Sequence, residues 1–139
     1  RVNPDEQGFE TVSVIKFPKY LVFYIDGLDK HGLLRHPLKG IKGRIEVTSF
    51  AEPEHLEKGQ KVIYSLSSII AHPKNTVREG GMYTAIVRKK VKGEEKRQWI
   101  KYHKNEQKTI TRAHAYKHPC QMLVYQLVDK LGEFAEDED

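Results

Sequence analysis

The stretch Gly80-Gly81-Met82-Tyr83-Thr84-Ala85 decides how this chain folds, because a glycine pair leads directly into the residue alternation of a strand. Apolar residues continue on both faces of this strand as far as Val87. Three further apolar runs accompany it: Ile69-Ile70-Ala71-His72, Trp99-Ile100-Lys101-Tyr102 and Met122-Leu123-Val124-Tyr125. Short apolar runs separated by glycine, proline and charged loops predict a mainly antiparallel sheet with few helices.

This succession resembles the C-terminal half of ubiquitin-specific proteases, whose pattern reads Tyr-x-Leu, His-x-Gly, Gly-His-Tyr-x-Ala, Trp-x-x-Phe-x-Asp and Leu-x-Tyr. Tyr64-Ser65-Leu66 matches the start of that pattern, and the stretches quoted above follow in the same order. The resemblance covers about residues 17–127. It implies an α+β, papain-like cysteine-protease fold of the ubiquitin-specific-protease type, of which this chain is the β-rich C-terminal half.

The resemblance also implies that the catalytic residues are missing. The family places its catalytic His between Gly and Tyr, where this chain has Met82. A thioether has no titratable nitrogen, so Met82 cannot act as a general base near neutral pH. The acidic position that would orient the imidazole falls on Lys104 and Asn105, and the family's Cys box is absent. We therefore expect a pseudo-deubiquitinase with no catalytic residue.

A binding edge is the second implication of the resemblance. In active relatives, the loop that corresponds to residues 73–79 closes over the ubiquitin tail. Small residues at the glycine pair let a substrate backbone pass close to the strand. The candidate binding residues are His72, Glu79, Gly80, Gly81, Met82 and Tyr83.

Cys120 is the only cysteine, which excludes an internal disulfide and fits a reducing, intracellular setting such as the nucleus or cytoplasm. It follows Pro119 and enters an apolar run, without the helix N-terminus that lowers a thiol pKa. The sequence therefore predicts a buried, unreactive thiol at this position.

The formal net charge of +5 is unevenly distributed. Residues 88–117 contain eleven Lys and Arg against three Glu, whereas residues 129–139 are mostly acidic. A solvated hairpin followed by an acidic tail is one interpretation, and a basic face for RNA or an acidic partner is the other. The candidate basic patch consists of Arg88, Lys89, Lys90, Lys92, Lys96 and Arg97.

Neither a cofactor nor a metal is expected. His114 and His118 have the spacing that places two imidazoles on one helix face. Pro119 follows directly, however, and biases His118 away from helical geometry, and no cysteine pair or carboxylate lies close by in sequence. No apolar run approaches the roughly 20 residues that a membrane span requires, so no membrane association is expected.

The chain divides into a flexible lead-in at 1–10, the protease-like domain at 11–128 and an acidic tail at 129–139. The apolar run at 20–25 predicts a strand buried on both faces. Residues 62–70 predict a strand with a bulge near Ser67-Ser68. Residues 109–117 could form a short helix, and 120–127 predict a last, central strand.

These observations favour a non-catalytic protease-like domain that acts as a scaffold and binds protein partners. Ubiquitin or a multi-subunit complex, including one that processes RNA, is the candidate partner. One alternative is the C-terminal part of an active deubiquitinase that another segment completes. The other is a structural subunit that contacts RNA through the basic stretch.

Overall fold

The computed structural model describes residues 12–25, 40–71 and 83–128. Within these ranges the chain forms one antiparallel sheet of seven strands and a single α-helix. The strands are β1 (Tyr20–Tyr24), β2 (Arg44–Glu46), β3 (Ile63–Ala71), β4 (Thr84–Lys89), β5 (Gln98–His103), β6 (Glu106–Ile110) and β7 (Cys120–Leu127), and the helix is α1 (Arg112–Lys117). The predicted α+β class, mostly antiparallel sheet, is confirmed.

The strand order is β1-β7-β3-β4-β5-β6, and β2 pairs with the first residues of β3. β3 is central because its sequence is apolar or small throughout, and Leu66 and Ile69 are completely buried. The register against β7 shifts between Leu66 and Ser68, which leaves Ser67 as the extra residue of a bulge. The bulge and the central position of β7 were both predicted from sequence and are confirmed.

One face of the sheet forms the core. Ile69 of β3 lies opposite Ile86 of β4 and Leu123 of β7, and residues directly opposite each other share a face. α1 covers the β5 end of this face, where the ring of Tyr116 meets that of Trp99 edge to face at 5.8 Å between centroids. Burial of this kind stabilises the fold by roughly 25 cal/mol for each Å² of apolar surface removed from water.

Two buried tyrosines attach the preceding loops to the sheet. The hydroxyl of Tyr64 donates a hydrogen bond to the carbonyl of Pro18 at 2.5 Å. The hydroxyl of Tyr125 donates to the carbonyl of Lys42 at 2.6 Å. Burial raises the pKa of both phenols, that of Tyr125 to about 12. These bonds hold the chain segments before β1 and before β2 against the core.

The prediction that residues 20–25 form a strand buried on both faces is wrong. β1 lies at the edge of the sheet, pairs with β7, and leaves Tyr20, Val22, Phe23 and Tyr24 exposed by 42% to 63%. The continuous apolar run is typical of a buried strand. β1, however, is an edge strand, and it has a neighbouring strand on one side only. The helix predicted at 109–117 begins later, at Arg112, because β6 extends through Ile110.

The predicted lead-in at 1–10 and the acidic tail at 129–139 lie outside the described residues, so the domain bounds stay a prediction. In the part of the chain that is described, no helix has the length and apolar character needed to cross a membrane.

Candidate functional site

The candidate site lies where β4 begins. Tyr83, directly before the strand, is 49% exposed, whereas Thr84, its first residue, is only 7% exposed. Met82, Gly81, Gly80, Glu79 and His72 fall outside the described ranges, so the predicted binding edge is visible only at Tyr83. The structure therefore places the end of that edge at the surface, beside a buried hydroxyl.

Thr84 meets a histidine that sequence reasoning did not single out. The hydroxyl oxygen of Thr84 and Nδ1 of His103 are 2.8 Å apart, which is hydrogen-bonding distance. The pairing of β4 with β5 brings the two together, because Ala85 lies opposite Tyr102 in the adjacent register position. An imidazole is thus present at the end of the strand that precedes the expected acidic position, one residue before Lys104.

His103 lies opposite Glu106 across the β5–β6 turn, so Thr84, His103 and Glu106 form a row across three strands. A hydroxyl, an imidazole and a carboxylate are the residue types of a nucleophile, its base and an orienting group. Only the first link is made, because no side-chain hydrogen bond joins His103 to Glu106 in the described ranges. Thr84 is only 7% exposed, and its bond to His103 joins β4 to β5.

Lys104 and Asn105, which occupy the predicted acidic position, form the two-residue turn between β5 and β6. Both are exposed, and Lys104 adopts a left-handed backbone with φ of 54°. This backbone is the one that tight hairpin turns demand, and it favours glycine or asparagine over lysine. Neither residue offers a carboxylate.

Cys120 is 6% exposed, and burial raises the pKa of its thiol. It pairs with Ala71, which in turn pairs with Thr84. Three strand spacings therefore separate Cys120 from His103, or about 14 Å at ~4.8 Å per spacing. The thiol is buried, as predicted, and no imidazole of the described site can reach it.

The predicted basic patch is divided between the interior and the surface. Arg88 is half-buried: its guanidinium donates to the hydroxyl of Ser65 at 2.6 Å and lies 5.9 Å from the ring centroid of Trp99. Arg97 is also half-buried, whereas Lys89, Lys90, Lys92 and Lys96 are exposed. Lys89 lies 5.1 Å from the centroid of Tyr102, and Lys90 donates to the carbonyl of Glu95. The exposed part of the patch is the tip of the β4–β5 hairpin.

His114 and His118 lie close together at the end of α1, with ring centroids 4.9 Å apart. Nδ1 of His118 is 2.8 Å from the carbonyl oxygen of His114, so this nitrogen must donate. In the described part of the chain, no group of three or more His, Cys, Asp or Glu is placed to hold a metal ion.

Sequence reasoning missed His103 because its partner lies on another strand, 19 residues away. The alternation of side chains along β5 could have revealed it. Trp99, Lys101 and His103 lie on one face of the strand, and a tryptophan at Trp99 indicates that this face packs against the core. Following that face to the strand end would have placed His103 beside the start of β4.

No protein-family model matches the sequence. The search of curated proteins also finds no match.

Solved structures do match. A Ubp8-Sgf11-Sgf73-Sus1 SAGA DUB module aligns over 84% of this chain with a TM-score of 0.62 and 21% identity, covering 26% of the matched chain. A yeast SAGA DUB module with a mutant Sgf73 aligns over 84%, with a TM-score of 0.58 and 21% identity, covering 25% of that chain. A module bound to monoubiquitin aligns over 84%, with a TM-score of 0.58 and 22% identity, covering 25%.

These likenesses show the fold: the sheet is that of a ubiquitin-specific-protease-like domain. The chain spans about a quarter of the length of the chains it matches.

Proposed function

We propose that this chain is a catalytically inactive ubiquitin-specific-protease-like domain that binds protein partners as a scaffold. The observation that carries the proposal is Met82, which stands where the family pattern has its catalytic His. A thioether can neither accept a proton from a thiol nor return it to a leaving amine near neutral pH. The chain keeps the fold of the family, but at this position it has no imidazole to act as the catalytic base.

The remaining catalytic functions are also unfilled within the described residues. Lys104 and Asn105 form a turn and supply no acid. The imidazole of His103 is hydrogen-bonded to Thr84 and lies three strand spacings from Cys120, and Cys120 is itself buried with a raised thiol pKa. A buried thiol with a raised pKa is a poor nucleophile. The base and the orienting acid are therefore both unfilled at the positions of the family pattern, which supports a binding role.

Protein partners fit the surface of the domain. Tyr83 is exposed at the start of β4, and tyrosine is enriched where proteins bind each other. The matched solved structures are multi-subunit modules, and one of them is bound to monoubiquitin. By analogy, we propose that the entry to β4 contacts a protein, and that ubiquitin is a candidate.

A ubiquitin molecule that carries an electrophilic propargyl group at its C-terminus should not form an adduct with the 139-residue chain. The reason is that Cys120 is buried and that burial raises the pKa of its thiol. Intact-mass spectrometry measures the adduct directly. The double variant Met82→His with Lys104→Asp should stay unlabelled as well, since it restores a base and an acid but no nucleophile.

An adduct on the unmodified chain would overturn the proposal. An adduct on the double variant alone would show that Cys120 is accessible, and would refute the assignment of an unreactive thiol.

The coverage of the matched structures favours one alternative. Because the chain spans about a quarter of their length, a nucleophile on another segment could complete an active deubiquitinase. That segment would still need a base, and Met82 cannot supply it. Labelling of a complex between this chain and a segment that supplies a cysteine, but not of the chain alone, would favour this alternative.

A further inference from the structure

β1 and β6 are the first and last strands in the order of the sheet, and their two edges differ in character. β6 carries Glu106 and Lys108, and its first four residues are polar and exposed. Charged side chains of this kind keep the edge of a sheet from pairing with another chain. β1 has the sequence Tyr-Leu-Val-Phe-Tyr, which contains no charge, proline or glycine. Its edge therefore lacks the protection that the β6 edge has.

The backbone groups on the outer edge of β1 follow from its pairing with β7. The N–H of Ile25 donates to the carbonyl of Gln121 at 2.7 Å, and the N–H of Leu127 donates to the carbonyl of Lys19 at 2.8 Å. Hydrogen-bonded positions alternate along an antiparallel pair, so the odd-numbered residues from 19 to 25 bond to β7. No other strand of the described ranges pairs with β1. The outward-facing N–H and C=O groups belong to the even-numbered residues, Tyr20, Val22 and Tyr24.

The side chains of β1 are exposed at four of its five positions. Contacts within the sheet nevertheless hold two of the aromatic rings in place. The ring of Phe23 meets that of Tyr125 edge to face, with 5.6 Å between centroids. The hydroxyl oxygen of Tyr24 accepts a hydrogen bond from Nε2 of Gln121 at 2.9 Å. Because these side chains are already ordered, a partner that packs on them has less conformational entropy to remove.

The residue order of β1 is nearly the same when it is read from either end. An antiparallel copy centred on Val22 places Tyr20 opposite the partner's Tyr24. Leu21 then lies opposite the partner's Phe23, and Val22 lies opposite the partner's Val22. In this register every outward-facing residue meets another outward-facing residue, so the two strands can exchange about six backbone hydrogen bonds. Aromatic and aliphatic residues that face each other across two strands stabilise the pair.

The charges that flank β1 favour the same antiparallel arrangement. Lys19 directly precedes the strand, and Asp26 follows Ile25 in the sequence. Antiparallel pairing of two copies brings the basic end of each strand to the acidic end of the other, whereas parallel pairing brings like charges together. A contact of one patch with its own copy is isologous and closes at the dimer.

We propose that the outer edge of β1 is a self-association surface, on which a second copy of this chain adds its own β1 antiparallel about Val22. Backbone hydrogen bonds supply the attraction, and the symmetric side-chain pairs fix the register. A strand of this length buries less than the roughly 1,200 Å² of a standard protein interface, so the dimer should be weak, with a dissociation constant of about 10 µM to 1 mM. The proposal does not depend on the role of Met82.

The test is sedimentation velocity of the chain at concentrations from about 5 µM to about 500 µM, a range that spans the expected dissociation constant. The average mass should rise toward that of two chains. Val22→Lys places two ammonium groups opposite each other and should raise the dissociation constant at least about tenfold. Thr109→Lys adds the same charge to an exposed β-branched residue of β6, and this matched control should dimerise as the parent does.

Two further readouts identify the strand and its register. Val22→Lys and Val22→Glu should each be monomeric, whereas their equimolar mixture should form a heterodimer, because the opposite charges then face each other. Hydrogen exchange followed by NMR should show that the amides of Tyr20, Val22 and Tyr24 become protected as concentration rises. Those of Leu21 and Phe23 bond to β7 and should be protected at every concentration.

The proposal is overturned if the parent sediments as a monomer over the whole range, or if Thr109→Lys weakens the dimer as much as Val22→Lys. A mixture of the two charged variants that stays monomeric overturns it too, as does a dimer in which the outer amides of β1 exchange as they do in the dilute chain. Protection of these amides already in the dilute monomer would show that another segment of the chain covers this edge, and would refute the proposal.

Discussion

Replacing Ile69 by alanine should lower the free energy of unfolding by about 2–5 kcal/mol, the range found for large-to-small changes in a packed core. Ile69 is completely buried in the central strand, between Ile86 and Leu123. Hydrogen-bonded strands on both sides hold these neighbours in place, so the cavity cannot close by a local shift. Denaturation in urea, followed through the fluorescence of the single tryptophan, measures the change.

The matched control is Val22→Ala on β1. Val22 is 58% exposed at the edge of the sheet, and its truncation should change stability by no more than about 0.5 kcal/mol. Equal losses in the two variants would contradict the assignment of the core to the face that contains Ile69.

Raising the pH from about 10 to about 12 should lower the stability of the fold by about 2 kcal/mol through Tyr125 alone. Burial raises the pKa of Tyr125 from 10.0 to about 12, and a pKa difference of one between the folded and unfolded states corresponds to about 1.36 kcal/mol. Below pH 10 the phenol is protonated in both states, so its contribution is fully present. Between the two pKa values the unfolded chain loses its proton first, and stability falls. Tyr64 and Tyr116 have raised pKa values and should add to the loss.

The variant Tyr125→Phe isolates this effect. At neutral pH it should be less stable than the parent by about 1–3 kcal/mol, because the carbonyl of Lys42 loses its donor. Toward pH 12 the difference should shrink or change sign, since the variant has no phenol to ionise at that position. Stability curves that stay parallel would contradict the assignment, and Tyr20→Phe, on the exposed edge, is the control that should follow the parent.

The central strands could be predicted from sequence because their side-chain pattern is decided locally. β7 runs from Cys120 to Leu127, as predicted. The bulge at Ser67 was predictable because the apolar positions of β3 move from one alternate set of residues to the other between Leu66 and Ile69. Edge strands could not be placed in this way. The aromatic run of β1 indicates a strand but does not reveal that one side lacks a neighbour, and β6, with sequence EQKTI, has no apolar alternation at all.

The candidate site was predictable in outline only. The strand register that brings His103 to Thr84, and Lys101 to Lys108, depends on where the β4–β5 and β5–β6 turns fall. Charge counting likewise placed Arg88 in a surface patch, whereas the alternation of β4 directs it to the face of Ile86 and Trp99. The glycine pair and Met82 lie outside the described residues, so their role rests on the sequence pattern.

The most direct test of the central claim is turnover of ubiquitin that carries a fluorogenic amide at its C-terminus, measured with the 139-residue chain across the neutral pH range. The account predicts no release above the buffer rate, with or without Cys120→Ser, because the sole thiol is buried and Met82 replaces the base. Release that disappears in Cys120→Ser would contradict it.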